Sequence, residues 1–320
     1  MANLFRANKK GSGGIQVDSL TITQMPTKTY YIQNETLDLT GLKVSATAGN
    51  LSGDVSNLIT TQPASGATMS TLGTNTITIS YGGVTTTFNV TVAVVPETLN
   101  ECSWEQIQEL VHAGTLGTYY NVGDTKEITL TTNETLTLQL ASINDGTGTA
   151  GTYYPANTAD FISVELMNST HVMNSTATNV GGWNDCEMRT YLNETVYPTL
   201  PTSLKNIVVD KTHMHTAGNQ SHDLVSASDK LWLPTTYEMF GENSQYYLDD
   251  ADHNIYYSIF PDNASRIKYR KAAPTSARYW WLSSPNVSSS TRFAAVTSDG
   301  SRNYDGAYNS NGVVLGLRIG

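Results

Sequence analysis

Positive charge, cysteine and long apolar runs are what this sequence has least of. Lys and Arg number 18 against 28 Asp and Glu, a formal net charge of -10, and the cations are scattered. Nucleic acids and anionic membranes are bound by concentrated positive charge that displaces counterions, so neither partner is expected. No apolar run reaches the roughly 18 residues of a membrane span, and the opening MANLFRANKKGSGG has no apolar stretch of secretory-leader length. We expect no membrane insertion and no export by the usual route. The 2 cysteines, Cys102 and Cys186, are too few for a disulfide framework or a four-ligand zinc site; they read as buried thiols or one bridge. HExxH, GxSxG and P-loop patterns are missing and no carboxylate pair stands out, so no catalytic residue, metal or cofactor is expected. Two carboxylates placed only by the fold would still suffice for a glycosidase.

Charged residues make up 14% of the chain. Thr, Asn, Ser, Gly and Tyr stand in their place, the balance of a β-rich outer surface more than of a cytosolic enzyme. After an arm and linker over residues 1–14, apolar and polar residues alternate at period two from Ile15 to about Val95. TITISYGGVTTTFNVTV, residues 76–92, is the clearest hairpin, with Gly82 and Gly83 able to take the positive φ of a two-residue turn. That turn sets Tyr81 opposite Val84, Ile79 opposite Thr86 and Ile77 opposite Phe88. One face is then apolar and needs a second sheet, which predicts an immunoglobulin-like sandwich over 15–95. DSLTITQMPTKTYYIQNETLDLTGLKVSAT, STLGTNTITISY and FNVTV resemble the bacterial immunoglobulin-like modules found in surface and phage structural proteins; the resemblance covers 17–92. Such modules serve as spacers or weakly adhesive units.

Pro96 closes this unit and the pattern changes. SWEQIQELVHAG, residues 103–114, carries Ser103 and Gln106 at capping-box spacing, an apolar face of Trp104, Ile107, Leu110 and Val111, and Gly114 as stop. Strand-like runs over 126–143 and 161–168 follow. A second helix is predicted over 183–197, ended by Pro198, with Met188, Tyr191, Leu192 and Val196 inward. Short strands dominate afterwards, and Pro234 is placed to open a helical turn. Early helices and late strands imply an α+β domain over 96–320. Four motifs in order, Trp183/Cys186/Arg189/Leu192/Asn193, Asp229 to Pro234, Tyr279 to Pro285, and Phe293/Val296/Asp299/Gly300 with Asn311 to Val313, resemble a family of phage and bacterial domains of unassigned function with a C-type-lectin-like fold. The resemblance covers 100–320.

It implies that the strands near 292–297 and 313–319 form core and that the segment between them is displayed. Arg302, Asn303, Tyr304, Asp305, Tyr308, Asn309 and Ser310 lie there, with Ser289 and Arg292 added to the same candidate face. Tyr offers a large, rigid amphipathic area and Asn, Ser and Asp adaptable hydrogen bonds, the composition of a paratope. The same residue types also make ordinary solvated turns. The segment resembles, in composition, the variable region of retroelement-diversified proteins.

Other clusters compete. Trp183-Asn184-Asp185 matches the calcium tripeptide of sugar-binding lectins, yet it opens a helix and has no EPN or QPD partner. His213 and His215, with His222 nearby, share a strand face suited to a metal, or simply sit on an exposed strand or turn. Some C-type-lectin-like folds are formylglycine-generating oxidases that reach copper through closely spaced cysteines near the C terminus; Cys102 and Cys186 are far apart and the tail has none. Tyr279, Trp280 and Trp281 fit a core strand better than a sugar platform. Together these readings predict a non-enzymatic virion structural protein of a tailed phage, a tail-fibre-type attachment protein. The arm over 1–14 would dock to other virion proteins, the chain would form a homo-oligomer such as a trimer, and the lectin-like domain would bind a host-cell receptor or glycan. A capsid decoration protein and a bacterial surface adhesin are the alternatives.

Overall fold

A computed structural model of the chain describes residues 16–242 and 253–320. The expected docking arm over 1–14 lies outside the described residues. The chain divides between Val95 and Pro96 into two compact units.

The first unit holds strands β1 (Ser19–Gln24), β2 (Tyr30–Ile32), β3 (Lys43–Ala48), β4 (Leu51–Asp54), β5 (Thr60–Gln62), β6 (Gly73–Tyr81) and β7 (Val84–Ala93). They form two sheets, ordered β1-β3-β4 and β2-β7-β6-β5. Gly82 and Gly83 take φ of +59° and +82°, and the hairpin pairs Tyr81 with Val84, Ile79 with Thr86 and Ile77 with Phe88. Period-two alternation puts Ile77, Ile79, Phe88, Val90 and Val92 inward, where they meet Tyr31, Val44 and Ala46 of the other strands.

The second unit is also built mainly of strands. Its helix α1 (Trp104–His112) starts from Ser103, whose hydroxyl accepts the Gln106 N–H while Gln106 Oε1 accepts the Ser103 N–H. A short α2 (Leu116–Tyr119) leads to β8 (Thr125–Thr129) and β9 (Thr135–Asn144). The predicted run over 126–143 is thus two strands: Asn133 sits at φ +66° in a turn between them. Then come β10 (Thr158–Ser163), α3 (Glu187–Thr190), α4 (Thr202–Lys205), β11 (Val208–Val209), β12 (Lys211–Thr216), β13 (Leu224–Asp229) and β14 (Leu231–Trp232). The chain closes with α5 (Thr236–Phe240), α6 (Asn263–Arg266), β15 (Trp280–Pro285), β16 (Arg292–Val296), β17 (Arg302–Gly306) and β18 (Gly316–Ile319).

The last strand is the centre of the main sheet. β18 lies between β10 on one side and both β11 and β14, end to end, on the other, in the order β11-β18-β10-β9-β8. Trp104 of α1 meets Phe161 of β10 edge-on, at 6.0 Å. Among the described residues, β12-β13 form a separate hairpin and β15-β16-β17 a second sheet.

Two predicted elements start elsewhere. The helix expected over 183–197 begins at Glu187, because Gly181 and Gly182 take positive φ and Cys186 adopts extended N-cap geometry. Past Thr190 the helix widens to a π-type turn over Tyr191–Val196. Within this turn the Asn193 side-chain amide donates to the Arg189 carbonyl at 3.0 Å and to Leu231 O at 2.9 Å, tying the widened turn to the strand beside it. Met188, Leu192 and Val196 are buried, but Tyr191 only half so. At α5 the cap is Thr235, not Pro234: its hydroxyl accepts the Glu238 N–H, and Glu238 Oε2 accepts the Thr235 N–H at 2.8 Å. Cys102 and Cys186 are buried free thiols, Cys186 pushed up to about 12 by burial.

Candidate functional site

The motif residues converge first on Asp229, at the end of β13. Trp183 Nε1 donates to its Oδ2 at 2.9 Å, Arg189 Nε to Oδ1 at 2.7 Å, and His213 Nε2 lies 3.2 Å from Oδ2. Burial alone would raise this carboxyl, but the bonds from His213, Trp183 and Arg189 outweigh it and hold it below the ordinary value. Asn193 accepts the N–H groups of Lys230 and Leu231. The W-x-x-C-x-x-R-x-x-L-N and D-K-L-W-L-P motifs are therefore the two halves of one structural clasp.

β12 turns its polar side inward, which overturns the expectation of exposed histidines. Lys211, His213 and His215 alternate along it and are all fully buried. His215 Nε2 meets Asn184 Oδ1 at 3.0 Å, so Trp183 and Asn184 of the calcium-like tripeptide both serve internal bonds. Burial pulls both imidazoles below their ordinary value. Among the described residues, no three His, Cys, Asp or Glu side chains gather at metal-binding range.

The exposed candidates Arg292, Tyr304 and Tyr308 lie on the sheet β15-β16-β17 and in the turn that follows it. The segment expected as a displayed loop is instead largely a strand: residues 302–306 pair with β16 as its edge partner, Arg292 opposite Gly306 and Ala294 opposite Tyr304. Alternation puts Arg292, Tyr304 and Gly306 on one side of the sheet. The Arg292 guanidinium carbon lies 4.6 Å from the Tyr304 ring centre. Gly306 lacks a Cβ where one would stand 3.0 Å from Tyr308 Cε1, so the Tyr308 ring lies back over the same side. Tyr304 and Tyr308 are 40% and 54% exposed and Arg292 is exposed. Arg292 and Tyr304 thus make an exposed contact, with Tyr308 exposed beside Gly306 of the same strand. Arg302, farther along, lies 5.2 Å over Phe240 and pairs with Glu242 at 3.0 Å.

The other candidate residues have internal partners. Asp305 Oδ1 accepts the Asn309 side-chain N–H at 2.5 Å and the Gly306 N–H at 2.8 Å, and its Oδ2 accepts Asn311 Nδ2 at 2.9 Å. Asp305 and Asn309 shape the turn that carries Tyr308. Asn303 Oδ1 accepts the Tyr304 N–H at 2.8 Å. Ser310 donates to Thr170 Oγ1 at 2.8 Å, and Ser289 shares a hydrogen bond with Thr291 Oγ1 at 3.2 Å. Sequence reasoning missed the flank formed by residues 170–174. His171 pairs with Asn311 through both backbone groups, and its ring stacks on Tyr191 at 4.0 Å. No local pattern signals that flank, because its partners lie far along the chain. Trp280 and Trp281 are buried as expected for a core strand, while Tyr279 is partly exposed.

Two family descriptions match the chain. Residues 24–92 match "Bacterial Ig-like domain (group 3)", and residues 157–318 match "Domain of unknown function (DUF6273)". No curated protein matches it. Among solved structures, a chain described as a "putative glycoside hydrolase" from Bacteroides thetaiotaomicron VPI-5482 is 8% identical, over 97% of this chain and 92% of that one, with a TM-score of 0.15. A likeness at that level carries no argument.

Proposed function

The chain belongs to the family described as Domain of unknown function (DUF6273), with a bacterial group 3 Ig-like domain ahead of it, and from that premise we propose that it is a non-enzymatic recognition protein. The Ig-like unit is the spacer. The second unit, which we read as C-type-lectin-like, presents Arg292, Tyr304 and Tyr308 to a host-cell receptor or glycan. The lectin-like reading is supported by the central place of β18 beside strands from early in the unit, and by the second sheet at β15-β16-β17.

The observation that carries the binding reading is that triad. Arg292 and Tyr304 stand exposed and in contact, Tyr308 stands exposed beside Gly306 of the same strand, and Asp305 and Asn309 hold the turn that carries it. Tyr and Arg are the residue types that dominate binding energy in recognition surfaces, and planar rings stack on sugar faces without needing charge. The non-enzymatic reading is supported by where the ionisable groups are: Asp160, Lys211, Glu238 and Arg318 pair with one another out of solvent, as Asp229 does with Arg189. The setting we propose is the surface of a tailed-phage particle, with many weak copies acting together.

An array of immobilised bacterial surface polysaccharides tests the binding reading. The full chain should bind a subset of them, and the variant with Arg292, Tyr304 and Tyr308 all changed to Ala should lose that binding while staying folded. Equal binding by both proteins would end the proposal.

A further inference from the structure

In the core of the second unit a lysine is in direct contact with a carboxyl group, shut away from water. The side chains of Lys211, Glu238 and Asp160 have no exposed surface. Lys211 Nζ contacts Glu238 Oε1, and Trp232, Tyr154 and Tyr257 surround the ammonium at 4.5 to 5.3 Å from their ring centres. Tyr257 bridges the groups: its hydroxyl accepts from Lys211 Nζ at 2.8 Å and stands 2.9 Å from Asp160 Oδ2 and 3.0 Å from Glu238 Oε1. We propose that Lys211 and Glu238 condense to an amide, an intramolecular isopeptide cross-link joining β12 to α5. This is independent of the recognition function proposed above.

The chemistry balances without any external reagent. The ammonium of Lys211 passes a proton to Oε1 of Glu238, which it contacts, leaving a neutral amine beside a carboxylic acid. The amine lone pair attacks Cδ of Glu238, a C–N bond forms, and Oε2 takes up negative charge against the Thr235 N–H at 2.8 Å. The C–Oε1 bond then breaks. Oε1 departs as water with two of the three original ammonium protons, the second relayed from the nitrogen by the Tyr257 hydroxyl and Asp160. Tyr154, whose hydroxyl donates to Oε1 at 2.6 Å, assists the departure. The net reaction converts one ammonium and one carboxylate into one amide and one water.

Three features favour this over a permanent ion pair. A desolvated amine held against a carboxyl reacts with an effective molarity that in oriented systems reaches about 10⁵ M or more. Burial pulls Lys211 towards the neutral amine that attack requires. Condensation removes two buried charges, which are costly to keep out of water, and leaves a neutral remainder: Asp160 stays bidentate on Arg318, at 2.6 and 2.9 Å. That bidentate grip, with Asp160 Oδ2 3.9 Å from Nζ, is also why Glu238 and not Asp160 is the acyl partner. Lys268, equally deep, donates to the backbone carbonyls of Ser163 and Val164 instead.

Intact-mass spectrometry of the purified full chain under denaturing conditions tests this. The expected mass is that of the sequence less one water, with tryptic digestion yielding a branched peptide that joins Lys211 to Glu238. The Lys211→Met variant should regain the full mass. An unmodified mass for the wild-type chain, or a water loss that maps to other residues or survives Lys211→Met, would overturn the proposal. Because the decisive reading is on the wild-type chain, a variant that folds poorly does not blur it.

Discussion

Arg292 on β16 lies diagonally across from Tyr304 on β17, its guanidinium carbon 4.6 Å from the ring centre. At an exposed site such a contact stabilises by about 0.5–1 kcal/mol, small against the roughly 5–15 kcal/mol that holds a domain folded. Its consequence is positional: the ring and the guanidinium hold one another on the exposed side of the sheet. Arg292→Ala or Tyr304→Ala should therefore shift folding stability by less than about 1 kcal/mol. Each should weaken ligand affinity tenfold or more, the usual cost of truncating a binding hot spot of about 1.4 kcal/mol. Denaturation followed beside binding separates the two effects.

Gly306→Ala tests the same face from beneath. The new methyl would stand 3.0 Å from Tyr308 Cε1 and displace that ring, which is an exposed and movable neighbour. We expect binding to fall severalfold with the unfolding midpoint nearly unchanged. A large loss of stability would mean that Tyr308 is structural.

Asp229→Ala should be far more damaging. It leaves the Trp183 indole N–H and His213 buried without this partner and takes the carboxylate from Arg189, which keeps only backbone carbonyls. Breaking a buried charged cluster at one member costs about 3–5 kcal/mol. All 5 tryptophans, at positions 104, 183, 232, 280 and 281, belong to the second unit. Tryptophan fluorescence during denaturation thus reads this loss in the second unit alone.

Lys268 sets a pH dependence. Burial brings its ammonium down from 10.5 to about 7. Between those values the unfolded chain holds a proton that the folded chain has released, so folding stability rises with pH across roughly pH 7 to 10.5 and the penalty is complete below about pH 7. Lys268→Met should remove this rise. The measurement is the difference in unfolding free energy between variant and wild type at pH 7 and pH 10, which should favour the variant more at pH 7.

The first unit was legible because local chemistry determines it. Gly82-Gly83 selects the turn, the turn selects the register, and the alternation of Ile77, Ile79, Phe88 and Val90 selects the buried face. Helix α1 was legible through Ser103 and Gln106 for the same reason. The histidines of β12 were not. The inward residues of that strand are its polar ones, Lys211, His213 and His215, and what makes this stable is Glu238, Asp229 and Asn184, all distant in sequence. The candidate face was half legible: its tyrosines were named from composition, but the strand 302–306 looked like a loop because Arg, Asn, Asp and Gly carry weak strand preference. Pairing with β16 overrides that preference, and it aligns Arg292 with Tyr304.

The most direct test of recognition through this face is a titration of one polysaccharide that scores on the array against four proteins: the full chain, Arg292→Ala, Tyr304→Ala and Tyr308→Ala. The account predicts that each variant keeps the wild-type tryptophan emission and unfolding midpoint while its dissociation constant rises at least about tenfold. Unchanged dissociation constants in all three folded variants would contradict it.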